Sequence, residues 1–219
     1  MKVINFSEEN SVMNQYLAEL RDKDYQKNRL LFRNNIRRIG EVMAYEVSKT
    51  LDYAPKKVST PMADTQINLP SDDIVVATVF RAGLPLHTGF LNVLDHAENA
   101  FVSAYREYTN EEKTEVKVNI EYLATPNLDG KTLIITDPML ATGLSMELAC
   151  KALETKGKPK CVHLACVIAT PAGLDYIKSN LPSDNLTVWC AAIDRGMNER
   201  KYIVPGFGDA GDLCFGDKL

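Results

Sequence analysis

Residues 132–149, TLIITDPMLATGLSMELA, constrain the fold of this chain more than any other stretch. Thr132 to Thr136 form an apolar, β-branched run of the kind that packs in a buried strand. Asp137 ends the run, Pro138 breaks it, and Ala141, Thr142 and Gly143 make a small-residue turn; helical spacing begins around Ser145. Strand, acidic residue, small-residue loop and helix in that order predict an α/β protein. The N–H groups of such a loop, with the helix N-terminus behind them, attract a phosphate. A carboxylate at the strand end can accept from two vicinal hydroxyls of a ribose. An ordinary strand–turn–helix connection capped by Ser145 is the alternative that these residues leave open.

Composition bounds the function classes. The 219 residues, 45% hydrophobic and 25% charged, suffice for one large α/β domain. A net charge of −4 lacks the basic footprint of a dedicated nucleic-acid binder, so no nucleic-acid partner is expected. The N-terminal MKVINFSEEN has no signal-peptide core, and no run approaches the roughly 18 apolar residues of a membrane span. Cys150, Cys161, Cys166, Cys190 and Cys214 form no C-x-x-C pair and lie mostly in apolar stretches, which suits buried reduced thiols and a cytoplasmic location. His87, His96 and His163 have no ligand spacing to a cysteine and no triad-like relation; each is expected on a helix or strand surface, and no protein metal site is expected.

Along the chain, residues 26–51 carry Leu30, Leu31, Ile36, Ile39, Val42, Met43, Val47 and Leu51 at the spacing of a long amphipathic helix. Residues 52–73, with Pro55, Pro61 and Pro70, read as loop with short strands. IVVATVF (74–80) reads as a strand buried on both faces, followed by Arg81, Ala82, Gly83 and helical spacing over 84–94. A strand is expected over 100–105, and the polar 106–117 with alternation from 116 to 123 predicts an exposed hairpin or flap. Residues 161–169 and 186–193 are further buried strands, and Thr170-Pro171 starts a helix as N-cap and N1. Strands alternating with helices predict a mostly parallel sheet with helices on both faces. Ligands of such sheets bind beyond the carboxyl ends of strands, where Arg81, Asp137 and Asp194 stand.

Arg81 and Arg106, each next to a strand end, are either surface arginines or bidentate partners of phosphate oxygens. The C-terminal YIVPGFGDAGD (202–212) holds three glycines and one proline among Ile203, Val204 and Phe207, which predicts a fixed irregular path rather than a solvated tail. Such a path presents N–H and C=O groups to a flat polar ligand. It lacks the pattern of an EF-hand calcium loop. Gly143-Leu144-Ser145-Met146-Glu147 lacks the last glycine of a nucleophile elbow.

DPMLATGLS (137–145), FRAGL (80–84), YRE (105–107) and IDRGMNERKYIVPGFGDAGDLCFGD (193–217) together resemble the type I phosphoribosyltransferases and, within them, the uracil phosphoribosyltransferase family. The resemblance implies one domain over 1–219: an N-terminal helical region (1–52), a parallel-sheet core, a flexible β-hairpin flap, and a C-terminal hood from about 193. It implies transfer of the phosphoribosyl group from phosphoribosyl pyrophosphate to uracil, giving UMP and pyrophosphate. Carried over, Asp137, Arg81 and Arg106 are the catalytic residues, the two arginines on the phosphate groups. Asp137, Pro138, Met139, Leu140, Ala141, Thr142, Gly143, Leu144 and Ser145 form the ribose-5-phosphate loop. Ile203, Gly208, Asp209 and Ala210 hold uracil, and Asp209 also serves phosphoribosyl pyrophosphate. Mg²⁺ held through the substrate, activation by GTP, and a homodimer or higher oligomer are also implied. Two departures stand out. A single Asp137 is followed by Pro138, as in the uracil branch. Leu144 replaces a glycine of the family loop, which is costly if the position needs positive φ and harmless if it already begins the helix.

An enzyme of the same fold acting on a purine or orotate is opposed by the C-terminal motif. A regulatory RNA-binding relative is opposed by the net charge and by Glu111, Glu112 and Glu115. A nucleotide-binding chain without catalysis is opposed by the presence of Arg81, Asp137 and Asp209.

Overall fold

Four apolar runs of the sequence become the centre of one sheet. The computed structural model describes residues 1–108, 116–181 and 184–217. In chain order its main elements are β1 (Lys2–Asn5), α1 (Val12–Arg21), α2 (Arg29–Ser48), β2 (Tyr53–Ser59), β3 (Asp64–Pro70), β4 (Ile74–Phe80), α3 (Leu84–Leu91), β5 (Glu98–Tyr108), β6 (Val116–Ala124), β7 (Thr132–Thr136), β8 (Met139–Leu140), α4 (Leu144–Glu154), β9 (Cys161–Ala169), α5 (Pro171–Asn180), β10 (Leu186–Ile193), β11 (Gly196–Met197), β12 (Ile203–Val204) and α6 (Ala210–Phe215). The strands β4, β7, β9 and β10 have the bounds that their apolar runs predict.

The sheet runs β1-β10-β9-β7-β4-β5-β6, with β8 added beside β9. Every pairing is parallel except β5 with β6. Both faces are covered, as near-continuous apolar strands require. On one face α2 and α3 lay Phe32, Ile36, Ile39, Met43, Leu86 and Phe90 on Val76, Ile134, Ala165 and Val167. On the other, Met146, Ala149, Leu153 and Ile177 of α4 and α5 cover Val75, Ala77, Leu133, Ile135 and Leu164.

The chain leaves β4 toward β5 on one side and comes back to β7 on the other. The strand order therefore reverses between β4 and β7, and a crevice opens beyond their carboxyl ends. Thr78 stands opposite Thr136 in the register, so Arg81 and Asp137 leave the sheet side by side.

Several expectations change. β1 pairs in parallel with β10 and adds an edge strand to a region expected to be helical. The long helix begins at Arg29 rather than at residue 26, because Asn28 caps it by accepting from the N–H groups of Leu30 and Leu31. Residues 53–70 form a regular antiparallel ribbon of two seven-residue strands that projects from the domain. Each strand of a two-stranded ribbon has an unpaired side, so Pro55 and Pro70 are tolerated. Two histidines expected on surfaces are buried. His87 reaches the Val76 carbonyl at 3.2 Å, and His163 Nδ1 accepts from Trp189 Nε1 at 3.0 Å. β5 and β6 pair out to Tyr108 and Val116. The tip of the expected flap, 109–115, lies outside the described residues.

Candidate active site

The loop after β7 is held from below and from one side. Pro138 turns the chain, and its carbonyl accepts from the N–H groups of both Val167 and Ile168 at 3.0 Å. Met139 and Leu140 then run parallel to β9. Thr170 fastens the next step: its N–H donates to the Leu140 carbonyl at 3.0 Å and its hydroxyl to the Ala141 carbonyl at 2.6 Å. The same hydroxyl accepts from Gly173 N–H at 2.9 Å and so caps α5. Asp137 Oδ1 accepts from Met139 N–H at 3.3 Å at the mouth of this loop.

Gly143 is the N-cap of α4 at φ +85, a conformation that side chains rarely adopt. A Cβ there would also stand 2.8 Å from Tyr176 Cδ1. Leu144 is the first residue of α4 and is not among the positive-φ residues. The glycine requirement of the loop thus falls on Gly143, and Leu144 fits without cost. Ser145 lies inside the first turn and the N-cap residue Gly143 makes no side-chain hydrogen bond, so the alternative in which Ser145 caps the helix does not hold. With no side chain capping them, the first N–H groups of α4 are left facing the loop, the arrangement that binds an anion.

Tyr176 and Glu147 form a wall that sequence reasoning missed. Tyr176 OH donates to Glu147 Oε2 at 2.7 Å, and Lys151 Nζ donates to Glu147 Oε1 at 2.6 Å. These bonds, Lys151 first, hold the nearly buried Glu147 carboxyl below its usual pKa, so it stays charged. The tyrosine ring is thereby fixed against Gly143. The signal was faint: Glu147 and Lys151 are four residues apart on a helix, but Tyr176 lies in another helix.

Arg81 follows β4 across a cis Phe80–Arg81 peptide. Its Nη2 donates to Asp212 Oδ1 at 3.0 Å and its Nη1 to the Gly216 carbonyl at 3.3 Å. Its Nε is buried and has no hydrogen-bond partner among the described residues, as is Thr78 Oγ1. Arg81 thus reaches from the sheet to α6 and retains a donor facing inward. Arg106 lies in β5 with its backbone opposite Val118, and its side chain is outside the described residues.

The C-terminal motif folds over this end of the sheet. Ile203 is buried in the short β12, which pairs with β11. The Val204–Pro205 bond is cis, and Gly206 and Gly208 take φ +55 and +94. Asp209 then caps α6 by accepting from Asp212 N–H at 3.1 Å, and Ala210 is the buried first residue of that helix. Helix α6 was not foreseen, although Asp209 followed three residues later by Asp212 is a capping pattern. The hood therefore gathers Ile203, Gly208, Asp209 and Ala210 into one short segment. A cavity of about 470 Å³ lies beside it, lined by Gln26, Lys27, Arg29, Gly208, Asp209, Asp212, Leu213 and Asp217. Its walls include neither Arg81 nor Asp137, so it adjoins the crevice rather than filling it.

Among the described residues, no group of three or more His, Cys, Asp or Glu side chains is placed to hold a metal ion, and no helix is long and apolar enough to cross a membrane.

Known proteins share this arrangement. The family model described as "Uracil phosphoribosyltransferase" matches residues 7–217. A uracil phosphoribosyltransferase of Porphyromonas gingivalis is 52% identical over 219 residues, covering the whole of both chains. One from Pyrococcus furiosus is 36% identical and covers 99% of this chain and 91% of its own. A solved structure of an Aquifex aeolicus protein superposes with a TM-score of 0.86 at 26% identity over 98% of each chain. The match spans the phosphate loop, the Arg81 turn and the hood together, and so the chain belongs to the uracil phosphoribosyltransferase family.

Proposed function

We infer that this chain transfers the 5-phosphoribosyl group of phosphoribosyl pyrophosphate to uracil, giving UMP and pyrophosphate in pyrimidine salvage. One observation carries the reading. Arg81 and Asp137 leave neighbouring strands at the point where the strand order reverses, beneath a hood with an irregular, pinned backbone.

Each part then has a task. The N–H groups of Ala141 to Ser145 and the start of α4 take the 5-phosphate. Asp137 accepts from the ribose hydroxyls and lies near the positive charge that develops at the anomeric carbon, whose transition state is oxocarbenium-like. Arg81 and Arg106 bind the leaving pyrophosphate, whose charge grows as its C–O bond breaks. Ile203, Gly208, Asp209 and Ala210 hold uracil through hood backbone groups, with its N1 facing that carbon. The new N1–C1′ bond replaces the bond to pyrophosphate, and the N1 proton passes to water or to an oxygen of the departing pyrophosphate. Water has to be excluded from the site, because hydrolysis is the competing reaction.

The same proposal includes Mg²⁺. A hard cation of this kind keeps its waters and would be held mainly through substrate phosphates. When bound, the ion neutralises charge on the pyrophosphate. A cytoplasmic location, activation by GTP and a homodimer belong to it too. The ribbon β2–β3 supports the dimer: Tyr53, Ile67 and Leu69 are exposed on it, and Met62 at its turn is 94% exposed. An isolated two-stranded ribbon is marginal in water, and a second copy would cover it.

The test is a panel of bases. Purified protein with phosphoribosyl pyrophosphate and Mg²⁺ is offered uracil, orotate and hypoxanthine, with and without GTP. Pyrophosphate release with uracil alone supports the reading, and release with another base but not uracil overturns it.

A further inference from the structure

We propose that Arg21 and Asp194 are positioning residues for the uracil-binding hood; this rests on the function proposed above. Asp194 follows β10, and its own N–H is tied to the Ala169 carbonyl at 2.8 Å, which fixes it to the sheet. Its side chain is 5% exposed. Arg21 ends α1, a helix anchored in the core by Met13 and Leu20. Arg21 Nη2 donates to Asp194 Oδ1 at 2.6 Å and Nη1 to Oδ2 at 2.9 Å, a two-pronged pair.

Both groups also grip the same hood residue. Gly206 N–H donates to Asp194 Oδ2 at 2.9 Å, and the Gly206 carbonyl accepts from Arg21 Nη1 at 3.1 Å. The two backbone polar groups of Gly206 are thus engaged by one ion pair. Gly206 sits at φ +55, where a Cβ would lie 2.2 Å from the Ile203 carbonyl, so the turn is too tight for any side chain. Ile203 is three residues before this pinned point and Gly208 two after it. A base recognised through backbone groups on both sides of Gly206 depends on how firmly that point is held, because groups a fraction of an ångström out of place lose their hydrogen bonds.

The clamp joins the first and last parts of the chain, 173 residues apart for Arg21 and Asp194. Among the described residues, its hydrogen bonds join Arg21, Asp194 and Gly206 to one another and to the Ala169 carbonyl, and none goes to Arg81. Its loss is therefore expected to weaken the binding of uracil more than that of phosphoribosyl pyrophosphate, which meets this segment of the hood only through Asp209. Loss of a merely stabilising ion pair would lower the melting temperature and leave the ratio of the two KM values alone.

The test compares wild-type protein with Arg21→Met, which keeps the apolar stem and removes the fork, and Arg21→Lys, which keeps the charge as a single point. Arg21→Met is expected to raise the KM for uracil by about tenfold to a hundredfold, the effect of losing a charged hydrogen-bond pair. Its KM for phosphoribosyl pyrophosphate should rise clearly less than that for uracil, and Arg21→Lys should fall between the two proteins. Backbone hydrogen exchange over residues 203–210 should accelerate in Arg21→Met. Equal changes in both KM values, no change in either, or unchanged exchange in the hood would overturn the proposal. Wild-type protein that makes no UMP would instead overturn the proposed function, and the exchange measurement would still decide the clamp.

Discussion

Leu144 shows how one backbone angle separates a harmless substitution from a damaging one. The left-handed angle of the loop belongs to Gly143, and Leu144 already begins α4. Leu144→Gly should leave the KM for phosphoribosyl pyrophosphate unchanged and lower stability by at most about 1 kcal/mol. Gly143→Ala should raise that KM and destabilise the protein by about 1–3 kcal/mol, since the new methyl meets both strain and Tyr176. Steady-state kinetics with thermal melts on the two variants checks both. At this scale Asp137 after an apolar strand, Arg81 two residues before a glycine and Thr170 before a proline carry local signatures, and the first two stand at the ends of neighbouring strands. Tyr176, Glu147 and Arg21 were not read as site residues, because their roles rest on partners 29 or 173 positions away.

Among the elements, the strands buried on both faces were the easiest to read, since their sequences are apolar throughout. α1 falls within the helical region expected over 1–52, whereas β1 was missed because it has four residues, too few to show an alternating pattern. The hood was legible as a fixed backbone path but not as a helix, because its glycines mask the six residues of α6. That helix matters for Arg81. Arg33 Nη1 donates to the Cys214 carbonyl at 2.6 Å, and Arg81 takes Asp212 and the Gly216 carbonyl, so the α6 segment links α2 to Arg81. Arg81→Ala should raise the KM for phosphoribosyl pyrophosphate at least about tenfold, the loss of a charged hydrogen bond. The KM for uracil should rise less. Initial rates with each substrate varied in turn separate the two, and an equal loss for both would remove Arg81 from the pyrophosphate subsite.

For the whole molecule, strand alternation predicted the parallel sheet, but no local pattern set its order or buried its histidines. Burial lowers the pKa of His163 to about 4, and it lowers that of His87 as well. The unfolded chain protonates these imidazoles near pH 6.5, so between about pH 6.5 and 4 it binds more protons than the folded state, and stability rises with pH. The contribution is complete above about pH 6.5 and is lost as pH falls toward 4; for His163 it is on the order of 3 kcal/mol. Denaturation midpoints from pH 4 to 7.5 should climb in wild type and climb less in His163→Gln.

The central claim is that the paired strand ends and the hood form one uracil phosphoribosyltransferase site. The most direct measurement is the initial rate of UMP formation from uracil and phosphoribosyl pyrophosphate with Mg²⁺, for wild type and Asp137→Asn side by side. UMP from the wild type and a turnover lower by about a hundredfold or more in Asp137→Asn are expected, the loss of a preorganised group worth about 2.7–4 kcal/mol. No UMP from the wild type, or near-normal turnover in Asp137→Asn, would contradict the account.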